Sequence, residues 1–334
     1  MKPEFIRTKY CSTRRLGRDV KVAVIFVMLL VCAVLLSSCA SQKQVVWDES
    51  FIACLRPSEE IMQKLSGSVQ DVDLKSSHDD VTVHVKQTLG DEKTLYIAMD
   101  VLFPDDIDLQ TMTAEHSSRV QIIPKNIAFL EGKTEAADIK GLSWQEIHDK
   151  YKYDWLFFEM DSLSFFRIQK TSYDFANNTV SYLLLFNSDM KRLNVDAVSL
   201  LIDDFVLDPD GENITVASGI HTISWKPQNQ AAVRELEITA ENGSSRGHIV
   251  LSPFSFYAYV PLSKAETSEE FDQSLKFIKI DGNEIKKPMS FDGGFSSGDR
   301  SATIRDCFPT PWDIDSIKEI QIGGYTVKVQ GTDD

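Results

Sequence analysis

Three short stretches carry residue types that do chemistry. Gly294-Phe295-Ser296-Ser297-Gly298 matches the G-x-S-x-G elbow, which sets a nucleophilic serine on a strand-to-helix turn and draws its acid and histidine from later in the chain. The last histidine is His248, so no base follows Ser296, and "DGGFSSGDR" reads as a flexible Gly/Ser loop. Asp208, Asp210, Glu212 and Asn213 around Gly211 are the hard oxygen donors that Ca²⁺ takes. The full loop with its closing bidentate Glu is missing, and Asp-Pro and Asp-Gly are turn formers in their own right. His78, Asp79, Asp80 and His84 crowd together in "SSHDDVTVH", but His84 alternates with Val81, Val83 and Val85 and so faces away from the side they bury. A metal site needs further aligned ligands. His116, His148 and His221 stand alone. The reading is a chain with no catalytic residues, no metal site and no cofactor, hence not an enzyme.

The cysteine with the clearest context is Cys39. It follows a basic stretch holding Lys2, Arg7, Lys9, Arg14, Arg15, Arg18 and Lys21, then 15 uncharged residues from Val22 to Leu36. That length suits a signal-peptide apolar region and falls short of the roughly 20 residues that span a bilayer. Leu36-Ser37-Ser38-Cys39 resembles the bacterial lipobox, where the thiol accepts a diacylglyceryl group and small residues permit cleavage before it. Residues 1–38 are therefore expected to be a lipoprotein signal peptide, leaving a chain held on the outer face of the cell membrane through lipidated Cys39. The competing expectation is an uncleaved helix from Val20 to about Cys39, its basic flank kept inside. Cys54 and Cys307 remain in the exported part, where they either close one disulfide or stand as separate buried thiols.

The whole chain of 334 residues has a formal charge of −15, and loss of its basic leader makes the rest more acidic still. Affinity for phosphates rests on Lys and Arg displacing counterions, so nucleic acid is excluded as a partner. A chain of this length predicts two domains.

The elements that position these residues are mostly strands. Val81, Val83 and Val85 alternate with polar residues, "LGDEKT" turns, and Leu95, Ile97, Met99 and Val101 continue. Runs such as "VSYLLLF", "VSLLIDDFVL" and "GIHTISW" follow, and a second series starts after Pro227 to Ala231 with "RELEITA", "HIVLSPFSFYAYV" and "IKEIQIGG". Helices are few. Ser58 caps a short one ending near Gly67, and Ser143 with Glu146, like Thr267 with Glu270, forms a capping box. Many short strands separated by turns predict a mainly β fold of two tandem β-sandwiches. The expected plan is a tether with a short peripheral helix over 39–78, a first sandwich over 79–229 and a second over 230–334.

Aromatic residues concentrate in "YKYDWLFFEMDSLSFF" and "SPFSFYAYV". In the latter, Phe254, Phe256, Ala258 and Val260 fall on one face and Ser255, Tyr257 and Tyr259 on the other. Tyr257 and Tyr259 are the candidate exposed binding surface, able to stack on glycan rings or dock a protein edge, while packing between domains is the competing use.

"VTVHVKQTLGDEKTLYIAMDVLF" and "VSLLIDDFVLDPDGENITVASGIHTISWKP" together resemble the immunoglobulin-like extracytoplasmic domains of unknown function in Gram-positive membrane proteins, some of them attached to anti-sigma-factor-type regulators. "HIVLSPFSFYAYV" and "IKEIQIGGYTVKV" are similar to that family's second sandwich, so the likeness covers about residues 79 to 329. The resemblance implies an immunoglobulin-like fold outside the cell and carries no catalytic residues. The sequence lacks the regulators' zinc-binding His-Cys-Cys constellation. The functional expectation is a membrane-anchored lipoprotein that binds an unknown protein or cell-envelope ligand without catalysis. The alternative is a single-pass sensor or anti-sigma-type regulator with an uncleaved N-terminal helix.

Overall fold

Alternation of apolar and polar side chains sets most of the strands, and where it fails the reason is visible in the packing. The structure is a computed structural model, and it describes residues 45–115, 121–152, 154–158, 164–188, 193, 195–207, 214–228, 231–239, 245–261, 274–286, 294–298 and 301–329. Residues 1–38, expected as a signal peptide, together with Cys39, Asp208 to Asn213, His116 and the Thr267/Glu270 pair, lie outside them.

In chain order, the first strands are β1 (Val69–His78), β2 (Val81–Gly90), β3 (Thr94–Leu102), β4 (Ile122–Glu131), β5 (Trp155–Phe158), β6 (Ser164–Asp174), β7 (Thr179–Ser188), β8 (Val198–Leu207), β9 (Ile214–Ala217) and β10 (His221–Trp225). They form sheet I, in the order β1-β2-β3-β7-β6, and sheet II, in the order β10-β8-β4-β5 with β9 beside β8. The remainder are β11 (Arg234–Thr239), β12 (Ser245–Leu251), β13 (Ser255–Pro261), β14 (Lys276–Lys279), β15 (Glu284–Lys286), β16 (Gly294–Gly298), β17 (Ser301–Cys307), β18 (Ile317–Ile322) and β19 (Tyr325–Lys328). They make sheet III, β11-β12-β13-β17-β16, and sheet IV, β15-β14-β18-β19. The protein is mainly β, and its sheets are antiparallel.

Sheets I and II share one core. Val83, Ile97 and Leu184 from sheet I meet Phe129, Leu200 and Trp225 from sheet II. Phe129 stacks on Phe186 at 4.8 Å. Sheets III and IV share another, in which Ile249, Phe256 and Ile304 face Phe277 and Ile320, with Phe256 and Phe277 edge to face at 5.2 Å. Asp281-Gly282 turns β14 into β15, with Gly282 at φ +83°.

The central strands of sheet I, β3 and β7, are buried on both faces. Tyr96, Ala98, Leu183 and Leu185 point away from the first core into a third cluster with Trp47, Phe51, Leu55 and Phe254. This is why "LYIAM" and "YLLLF" read as unbroken apolar runs.

Two expectations are corrected here. The segment before residue 79 holds the expected Ser58-capped helix, Glu59–Lys64, with no buried residue, but it is more than a tether. The helix Glu49–Leu55, capped by the Asp48 carboxylate on Ser50 N–H, seats Phe51 in the third cluster at 0% exposure, and β1 is the edge strand of sheet I. β1 escaped the sequence reading because "VQDVDLKSSH" has few apolar side chains, as befits an exposed edge. The stretch Gly294–Gly298 is a strand rather than a loop, pairing with β17 so that Ser296 opposes Thr303. It lies wholly within antiparallel strand pairing and does not make the strand-to-helix turn that an elbow requires.

Lys86 fixes the N-terminal segment to sheet I. Its ammonium lies 2.8 Å from Asp48 Oδ2 and 3.0 Å from Asp100 Oδ1. Burial on its own would raise the Asp48 carboxyl, but the Lys86 ammonium and the Ser50 N–H outweigh it and hold the pKa below the ordinary value. Asp48 thus stabilises the fold above the usual carboxylate range, and that stability is lost as pH falls through its lowered pKa. Lys86→Met, which leaves two carboxylates without their cation, is expected to cost roughly 1.5–3 kcal/mol. Urea unfolding at neutral pH measures this.

Candidate functional site

Sheet III divides its side chains as the alternation of "SPFSFYAYV" demands. Phe256, Ala258 and Val260 are buried in the second core, while Tyr257 is half-buried on the opposite face and Tyr259 keeps 39% of its surface exposed. Phe254, at the bend before β13, leaves that core and packs on Tyr96 at 5.7 Å.

Strand register then builds the outward face in two rows. Glu235 opposes Val250, Val250 opposes Tyr257, and Tyr257 opposes Arg305. In the adjacent row Glu237 opposes His248, His248 opposes Tyr259, and Tyr259 opposes Thr303. The His248 ring lies 5.2 Å from Tyr257 and 6.0 Å from Tyr259, with planes 36° and 30° apart, so the three rings form one aromatic patch. Gly247 lets β12 lie this close to β13. A Cβ there would stand 2.3 Å from the Tyr259 carbonyl oxygen.

Beside this face lies a groove of about 560 Å³, within the range of small-ligand sites. Tyr257, His248, Glu235 and Arg305 line it from sheet III, and Lys93 from the β2–β3 turn and Asn187 from β7 of sheet I close it. Two of its lining residues, Ser255 and Asn187, belong to a buried polar seam. The Thr94 and Ser255 hydroxyls lie 2.8 Å apart, Asn187 Nδ2 donates to Thr94 Oγ1 at 2.8 Å, and Ser252 Oγ is 3.1 Å from Ser255 Oγ. Asp91 anchors the seam, its Oδ1 accepting from the N–H groups of Lys93 and Thr94 at 2.6 and 2.7 Å. Burial pushes its carboxyl up to about 6, against the opposing pull of Ser252 and those N–H groups.

The other candidates have structural surroundings. His84, half-buried on the polar side of β2, bonds to Asp73 at 2.8 Å. His221 is 2% exposed and its Nδ1 lies 3.1 Å from the Ser76 carbonyl, with the His78 ring 6.3 Å away. Burial lowers its pKa, which keeps it neutral. These two histidines, from β1 and β10, were separate in the sequence and are neighbours in the fold. Among the described residues no three His, Cys, Asp or Glu side chains gather to hold a metal. Cys54 and Cys307 are thiols that pack against the same third cluster. A second cleft, of about 680 Å³, lies between Arg56 and Ser58 on one side and Trp312 and Lys279 on the other, with the Lys64–Asp313 ion pair beside it.

No family model matches the chain, and no curated protein matches it. A solved structure described as "The crystal structure of the conserved domain protein from Bacillus anthracis" is similar over 83% of this chain and 83% of its own, at 14% identity and a TM-score of 0.43. Among the described residues no helix is long and apolar enough to cross a membrane.

Proposed function

We propose that the chain is a lipid-anchored binding module on the outer face of a bacterial membrane, without catalysis, its four sheets arranged as two tandem immunoglobulin-like sandwiches. Cys39, placed directly after an apolar run of signal-peptide length, supports the anchor. The observation that carries the binding role is the groove beside sheet III, where Tyr257 and its polar neighbours converge on a concave surface. Protease added to intact cells is expected to degrade the chain while cytoplasmic proteins survive. Full protection of the chain would contradict the location.

The same location bears on the thiols. In an oxidising space, exchange with an oxidised thiol–disulfide carrier would join Cys54 to Cys307 and reduce that carrier, tying the N-terminal helix to β17. The expected result is an exported chain about 2 Da lighter without reductant than with it. Two alkylatable thiols in the natively purified chain would contradict the bridge.

A further inference from the structure

We propose that the groove beside sheet III takes a neutral oligosaccharide, an assignment that rests on the binding role above and specifies its ligand. The lining decides the chemistry by its balance. Glu235 and Glu237 would repel an anion, Arg305 and Lys93 would repel a cation, and Asn187 offers both a donor and an acceptor. A ligand that suits all of them is rich in hydroxyls and carries no net charge. The net charge of −15 disfavours phosphate-bearing polymers further.

The aromatic patch supplies the second half of sugar recognition. A pyranose has apolar C–H faces between its rims of hydroxyls, and those faces pack on aromatic rings while carboxylates and amides hold the rims. Tyr257, His248 and Tyr259 provide such rings, with Glu237 in line with the last two on the same face. Across the groove the row from Glu235 to Arg305 crosses three inter-strand gaps, a span of about 14 Å that accommodates a short chain of sugar rings.

The test uses the full chain, extracted in detergent, on an array of immobilised neutral and anionic glycans beside a peptide panel, with titration of whatever is retained. Neutral glycans are expected to be retained. Tyr257→Ala with Tyr259→Ala is expected to weaken retention about tenfold or more, and Glu237→Gln severalfold, with the thermal midpoint unchanged. Retention of anionic glycans only, retention of no glycan, or an unchanged affinity in the double variant would overturn the assignment. Peptides captured in place of glycans, and lost in the double variant, would overturn the sugar while leaving the groove as a binding site. Protection of the chain on intact cells would instead break the proposed location, so the two failures are separable.

Discussion

Asp91→Asn is expected to make the protein more stable at pH 7.5, and to remove a stability loss that the native chain suffers between about pH 4 and pH 6. The Asp91 side chain is completely buried. Its Oδ2 is buried without a hydrogen-bond partner, so the lowering influence of Ser252 and of the Lys93 and Thr94 N–H groups does not offset the loss of water. Burial therefore raises its carboxyl from 3.8 to about 6. A folded pKa above the unfolded one means that folding favours the protonated form. The penalty is absent below the unfolded pKa, grows as pH rises, and is complete above the folded pKa. A shift of this size corresponds to about 3 kcal/mol at neutral pH. Asparagine keeps the Oδ1 acceptor for Lys93 and Thr94 and carries no charge. Between about pH 4 and pH 6 the urea midpoint of the native chain is expected to fall relative to that of the variant, with a constant difference above that window. Parallel pH profiles would show that Asp91 is not the group responsible.

Phe51→Ala is expected to destabilise the protein by about 3–5 kcal/mol, the range for removing a fully buried phenylalanine. Phe51 has 0% exposure, meets Trp47 edge to face at 6.3 Å, and belongs to the cluster that also holds Tyr96, Leu185 and Phe254. Ile52 on the same helix is 43% exposed, so Ile52→Ala is the matched control, expected to stay within about 0.5 kcal/mol of the native chain. Denaturant unfolding of the two variants distinguishes a helix that is part of the core from one that merely leads to it. Equal stabilities would return the segment before β1 to the status of a tether.

The same helix shows where sequence reading works and where it stops. β2 and β13 were legible because each buries one face and alternates accordingly, and the Ser143–Glu146 capping box and the Asp281-Gly282 turn were legible because they are local chemistry. β1 was not, since an exposed edge strand has no apolar stripe. β16 was not, since its glycines and serines carry no β signal and its pairing with β17 is the only cue. Phe51 was not, since one phenylalanine in a seven-residue helix gives no period to read, and its partners lie on strands far along the chain.

The candidate site divides in the same way. Tyr257 and Tyr259 followed from alternation within one strand. Glu235, Glu237, His248 and Arg305 sit on that face through cross-strand register, which a single sequence does not state. The phase of "RELEI" and "GHIV" was the available signal, because it already placed Glu235, Glu237 and His248 opposite the buried isoleucines. Lys93 comes from the β2–β3 turn and Asn187 from β7, and nothing local connects them to sheet III. Their place in the groove depends on how the two pairs of sheets meet across the Thr94–Ser255 seam.

Anchoring at Cys39 decides whether the groove works outside the cell as part of a protein with no cytoplasmic segment. The direct measurement is the mass of the N-terminal peptide from membrane-extracted protein, for the native chain and for Cys39→Ala. The predicted result is a new N-terminus at Cys39 carrying a diacylglyceryl group, lost in the variant. Residues 1–38 found intact and still attached would contradict it and turn the protein into a single-pass sensor.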